Sequence, residues 1–254
     1  MHSYKILQLT DTHLFDSDEY SMYGVKTNKN FADTLKFIKG KDFNFNAIFL
    51  TGDISQDKTP KSYIMIAEML SFFNKTIYWI PGNHDDFTIM AEVFSKYELF
   101  KQGRSFFIGK INWHFIFCDS TFPNKDSGFL RDNAIEELSR SLSNANASSC
   151  VSMIMHHHPI KVGVSLIDKY ILENADIFWE QITQSKKQVK IVICGHVHGD
   201  YDLENNGIRV ISCPATSLQF GRGTSKSDVD NIPGFKLWKF SLEGNFSYET
   251  YFIR

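Results

Sequence analysis

The sequence predicts an α/β sandwich built on mixed sheets. Three observations carry that expectation. Short apolar runs alternate with longer amphipathic ones, several of the apolar runs stop at Gly or Pro turns, and the C-terminal region reads as successive hairpins.

Residues 4–9 make an apolar run of strand length, residues 30–38 an amphipathic helix and residues 47–50 a second strand, giving a β-α-β opening. Pro60 suits the first turn of a helix over residues 60–72, and a strand at 77–80 is stopped by Pro81-Gly82. Residues 105–108 and 113–118 flank Gly109-Lys110 as a hairpin, and a helix over 132–142 follows with Asp132 near its start. Two buried strands, 151–155 and 189–194, are separated by a helix over 173–184. Asn205-Asn206-Gly207 then precedes a strand at 208–212, and Glu243-Gly244-Asn245 joins two alternating strands. The pattern contains no internal repeat and no interdomain linker, so residues 1–254 are expected to form one domain.

The 27 basic and 29 acidic side chains nearly cancel, and no basic stripe interleaves with aromatics. That balance argues against a nucleic-acid or membrane-surface partner, so any recognition of an anion must be local. Cys118, Cys150, Cys194 and Cys213 are widely spaced, with no C-x-x-C pair, and read as buried free thiols. The apolar run after Lys5 passes straight into an acidic motif, unlike a signal peptide, and a cytoplasmic location is expected. The 23 phenylalanines read as core filling.

Chemistry-bearing residues recur just after expected strands: Asp11-Thr12-His13, Gly52-Asp53, Gly82-Asn83-His84-Asp85, His156-His157-His158-Pro159 and Gly195-His196-Val197-His198. One such cluster alone is an ordinary capping or surface feature. Five of them brought to one sheet edge would leave unpaired charge unless cations were held there. Oxygen and nitrogen donors without thiolate suit Mn, Fe or Zn.

The order D-x-H, G-D, G-N-H-D, H-H-x-P and G-H-x-H, from Asp11 to His198, resembles the calcineurin-like metallophosphoesterase family. Within that family the opening Leu7-Gln8-Leu9-Thr10-Asp11-Thr12-His13-Leu14 is similar to the bacterial class III cyclic-AMP phosphodiesterases. Residues 163–175, with Asp168 and Asn174-Ala175, and Pro214-Ala215-Thr216 through Gln219-Phe220 extend that similarity. The resemblance implies a four-layer α-β-β-α sandwich with the metal site at the C-terminal edge of the strands. Asp11, His13 and His198 would hold one of two divalent or mixed-valence ions, Asn83, His156 and His196 the other, and Asp53 would bridge them. The family has two prolines where this chain has His158-Pro159, so His156 or, after a slip of one residue, His157 is the ligand. The two other histidines of the triplet would face solvent or support the ligands. His2 and His114 lie outside any motif and are expected to be structural or exposed.

By the same resemblance His84 faces the substrate as general acid, with Asp85 as a candidate orienting carboxylate. The implied reaction is attack of a metal-bridging hydroxide on 3',5'-cyclic AMP, giving 5'-AMP. The alternatives are a phosphodiesterase or phosphomonoesterase acting on glycerophosphodiesters or other phosphate esters, and a non-catalytic binding module. Phe122 and Phe220 are candidate aromatic walls for a base. The Gly-, Ser- and Lys-containing stretch 221–230 reads as a loop and not as a phosphate cradle, and a homo-oligomer is compatible with the sequence.

Overall fold

The computed structural model describes residues 3–221 and 228–254. Its first half runs β1 (Ser3–Leu9), α1 (Thr27–Gly40), β2 (Ala47–Thr51), α2 (Pro60–Ser71), β3 (Thr76–Ile80), α3 (Phe87–Phe94) and β4 (Phe100–Gln102). The hairpin β5 (Ser105–Ile108) and β6 (Trp113–Cys118) leads to α4 (Asp132–Asn144), β7 (Cys150–Met155), α5 (Ala175–Ser185) and β8 (Gln188–Cys194). The chain closes with β9 (Asp202–Asn205), β10 (Ile208–Ser212), β11 (Gln219–Phe220), β12 (Val229–Asp230), β13 (Gly234–Ser241) and β14 (Phe246–Phe252).

Two six-stranded mixed sheets result, ordered β14-β13-β1-β2-β3-β4 and β5-β6-β7-β8-β10-β9. Alternation along the strands decides which face each side chain covers. Leu7, Ile48 and Leu50 pack with Phe31, Tyr63 and Phe94 of the first three helices. Their neighbours Ile6 and Phe49 turn the other way, toward Trp113, Phe115, Ile154, Ile193 and Trp238 between the sheets. Met153 and Val192 face Leu138 and Phe178 of α4 and α5. The layers are therefore α-β-β-α, the architecture expected from the sequence.

Local chemistry sets the boundaries. Thr59 caps α2 through its hydroxyl, which accepts from Ser62 N, and Pro60 takes the first turn. Asn206 and Gly207 both have positive φ, 51° and 79°, the pairing that a two-residue β-hairpin turn demands. Four elements were not expected from the sequence: α3, β4 and the short strands β11 and β12, the last within the stretch read as a loop. α3 has only eight residues, and its start signal is Asp86, whose carboxylate accepts from Ile89 N directly after the histidine motif. Residues 222–227, most of the stretch read as a loop, and His2 lie outside the described residues. The described ends of that stretch, Gly221 and Asp228, are joined by a backbone hydrogen bond beside the short β11–β12 pair.

Candidate metal centre

β1-β2-β3 and β7-β8 are parallel sets in the two sheets, and their C-terminal ends meet, as His156 Nδ1 bonds to Thr51 O at 2.8 Å and His196 N donates to Asp11 Oδ2 at 3.0 Å. Each of the five motifs is thus delivered to one edge of the sandwich. The loop after β1 lies along the loop after β2, with Asp11 N donating to Gly52 O and His13 N to Asp53 O, both at 3.0 Å. Gly195 N donates to His156 O at 3.1 Å, which joins the loops after β7 and β8 in the same manner.

The turns are unusually tight. Asp11, His13, Asp53, His196 and His198 all have φ between 45° and 68°, in the left-handed region that costs a non-glycine residue about 1 kcal/mol. Such strain persists where surrounding contacts over-determine it, and here it turns five polar side chains inward. Gly52 sits among them at φ 95°, and a Cβ there would collide with His156 Nδ1.

Three of the imidazoles are fixed through one nitrogen each. His13 Nδ1 meets Gln56 Oε1, His198 Nδ1 meets the Leu218 carbonyl and His156 Nδ1 meets the Thr51 carbonyl, all at 2.8 Å. Each acceptor is an oxygen, so each Nδ1 carries a proton, and in the neutral ring each Nε2 presents a lone pair. The Nε2 atoms of His13 and His198 then face each other at 3.1 Å. His156 Nε2 likewise faces Asn83 Oδ1 at 3.2 Å and Asp53 Oδ2 at 3.4 Å. Lone pairs held this close repel unless a cation is shared between them, so the donor set fits metal ions. Among the described residues three triads have ligand atoms close enough for one ion each, Asp11–His13–His198, Asp11–Asp53–His156 and His156–His157–His196.

The electrostatics agree. Burial alone would raise the Asp53 carboxyl, yet His156, His84 and His13 hold it well below the usual carboxylate range. Asp11 is lowered against its burial by His198 and His156. Burial pushes His13 down to about 3, whereas for His156 the carboxylates of Asp53 and Asp11 overcome burial and raise it to about 9. Without a cation the protonated His156 supplies positive charge to these carboxylates, and a bound metal ion would take its place by displacing the Nε2 proton.

The histidine triplet divides clearly. His156 presents Nε2 to Asn83 and Asp53, while His157, although beside it and His196, has both nitrogens engaged by Ser120 Oγ (2.8 Å) and the Asp126 carbonyl (3.2 Å). His157 and His158 are buried, which rules out the solvent-facing alternative. The His158 ring stacks on His196 at 5.6 Å, and neither of its nitrogens has a hydrogen-bond partner; Nε2 lies 3.6 Å from Asp168 Oδ1. His114 is a buried side chain of β6 far along the chain from these motifs.

His84 lines the cleft, its backbone N–H donating to Asp53 Oδ1 at 2.8 Å and its ring 5.0 Å from that of His13. Asp85 does not orient it. Its carboxylate accepts from Ile54 N, Ser55 N, Gly82 N and Tyr63 OH, and so clamps the loops after β2 and β3 together. Phe220 does line the cleft, stacked on His198 at 4.4 Å, but Phe122 packs on Phe129 and is not part of the wall.

A family model described as calcineurin-like phosphoesterase matches residues 4–200. The chain belongs to that family. This phosphoesterase is 34% identical to the "3',5'-cyclic adenosine monophosphate phosphodiesterase CpdA" of Vibrio vulnificus, over 98% of its own length and 90% of that protein's. The Escherichia coli K12 protein of the same name is 31% identical over 97% and 89%. Among solved structures, a dimetal phosphatase from Danio rerio superposes with a TM-score of 0.71 over 97% of this chain and 95% of that one, at 10% identity, which shows the shared fold.

Sequence reasoning missed the supports of the phosphoesterase centre: Gln56, Ser120 and the carbonyls of Thr51 and Leu218. No local motif marks them, since a lone Gln or a backbone oxygen carries no pattern. It also missed Tyr23 and Met22 on the cleft wall.

Proposed function

We propose that this phosphoesterase hydrolyses 3',5'-cyclic AMP to 5'-AMP. The observation that carries the reading is the 34% identity, along nearly the whole of both chains, to a protein named for that activity. The cleft suits it. It has His13, Asp53, Asn83, His84, His196 and His198 on its floor and Met22, Tyr23, Leu166, Ile167 and Phe220 toward its rim. A charged phosphodiester and an apolar base need that division.

Asp11, His13 and His198 would hold one ion and Asn83, His156 and His196 a second, with Asp53 the carboxylate shared by the two sets. When bound, the two ions lower the pKa of an attacking water and polarise the phosphoryl oxygens. The protein residues supply orientation. The hydrogen bonds from Nδ1 of His13, His156 and His198 keep their rings from rotating away. His84 delivers a proton to the 3' oxygen as the water oxygen bonds to phosphorus and the P–O3' bond breaks, which leaves the 5'-monoester. Oxygen and nitrogen donors point to Mn, Fe or Zn, and the four buried reduced cysteines suit a cytoplasmic location.

The test is hydrolysis of cyclic AMP by metal-stripped protein reconstituted with Mn²⁺, with products separated by chromatography. Release of 5'-AMP supports the reading. Intact cyclic AMP beside cleavage of a bis-nitrophenyl phosphate would overturn the substrate and leave the phosphoesterase.

A further inference from the structure

The loop after His13 ends in a two-residue turn closed by paired backbone hydrogen bonds, Met22 N to Val25 O at 3.0 Å and Val25 N to Met22 O at 2.9 Å. Its corner residues are Tyr23 at φ 49° and Gly24 at φ 80°. Such a turn takes Asn, Asp or Gly at its first corner, since a bulky side chain is strained with φ positive. Tyrosine is the wrong residue for this backbone. Nor does the ring recover the strain by burial, being 45% exposed.

What Tyr23 gains is position. Its ring lies edge-on to Phe220 at 6.3 Å, and Phe220 stacks on His198 at 4.4 Å, so an aromatic wall climbs from the centre to the rim. Leu166, Ile167 and Tyr170 line the same cleft. The turn is held in register with the floor, because Thr27 Oγ1 donates to the His13 carbonyl at 2.7 Å and Lys26 Nζ to the carbonyls of Asp18 (2.9 Å) and Glu19 (2.7 Å).

We propose that Tyr23 is a specificity-determining residue whose ring, continuous with Phe220, stacks on the nucleobase of the substrate while the phosphate lies on the floor. The inference rests on the cyclic-nucleotide reading. Strained backbone clusters at functional sites, and a ring left nearly half exposed at a cleft rim beside Phe220 offers a face on which a planar base can stack.

Tyr23→Asn keeps a residue that tolerates the turn and removes the ring, while Tyr23→Phe keeps the ring. Mn²⁺-reconstituted proteins would be assayed on cyclic AMP and on base-free ribose 3',5'-cyclic phosphate, with melting temperatures recorded alongside. For Tyr23→Asn the KM for cyclic AMP is expected to rise about tenfold, as loss of one base–aromatic stack implies. The KM for the base-free ester should move less than about twofold, with Tyr23→Phe close to wild type and the melting temperature of Tyr23→Asn no lower. An unchanged KM for cyclic AMP, an equal rise for the base-free ester, or a lowered melting temperature would each overturn the role. Wild-type protein that opens the base-free ester but leaves cyclic AMP intact would instead overturn the substrate reading, and this inference with it.

Discussion

The floor and the rim of one cleft are built on opposite principles. On the floor, Asp11, His13, Asp53, His156 and His198 are buried at strand ends, the three imidazoles are each tied by a hydrogen bond to an oxygen, and five floor residues are held in left-handed backbone. At the rim, apolar side chains hang from loops, and Tyr23 is nearly half exposed. The difference separates two properties. On the proposed assignments, a rigid floor that gathers charge serves phosphoester cleavage, and the rim, free of that constraint, serves the choice of ester.

That separation can be broken experimentally. The largest effect is expected for Asp53→Asn, which removes the carboxylate lying beside both sets of imidazoles. Turnover of cyclic AMP and of a nitrophenyl diester should fall together, on the order of 10³-fold or more, in steady-state assays. His84→Ala should lower kcat on cyclic AMP by roughly 10²–10⁴-fold. The nitrophenyl diester, whose leaving group needs no proton, should lose far less, so equal losses would count against an acid role. Gln56→Ala frees His13 Nδ1 and is expected to weaken metal affinity by roughly 10–100-fold, read by chelator competition. Gly52→Ala places a Cβ against His156 at positive φ and should destabilise the fold by roughly 1–3 kcal/mol in chemical denaturation. None of these floor variants should change the preference for cyclic AMP over a base-free ester, whereas Tyr23→Asn should.

The sequence was informative where function repeats a pattern. Asp11, His13, Asp53, Asn83, His156, His196 and His198 converge because each follows a strand, and strand ends are legible from apolar runs. Contacts that depend on the whole fold were not. Asp85 looks like a partner for its neighbour His84, but its oxygens are taken by backbone N–H groups of a loop about thirty residues earlier and by Tyr63. Phe122 and Phe220 are the same residue type, yet only Phe220 leaves β11 beside His198. His158 stands where the family has proline, and only the structure shows its ring buried against His196. α3 was missed because an eight-residue helix gives a short periodic signal beside a stronger motif.

Elemental analysis of metal-reconstituted protein, with Asp53→Asn and His198→Ala alongside, tests the two-ion floor most directly. Wild-type protein is expected to retain two metal ions per chain after desalting, and each variant fewer. A wild-type chain that retains none, or variants that retain as many as wild type, would contradict the proposed centre.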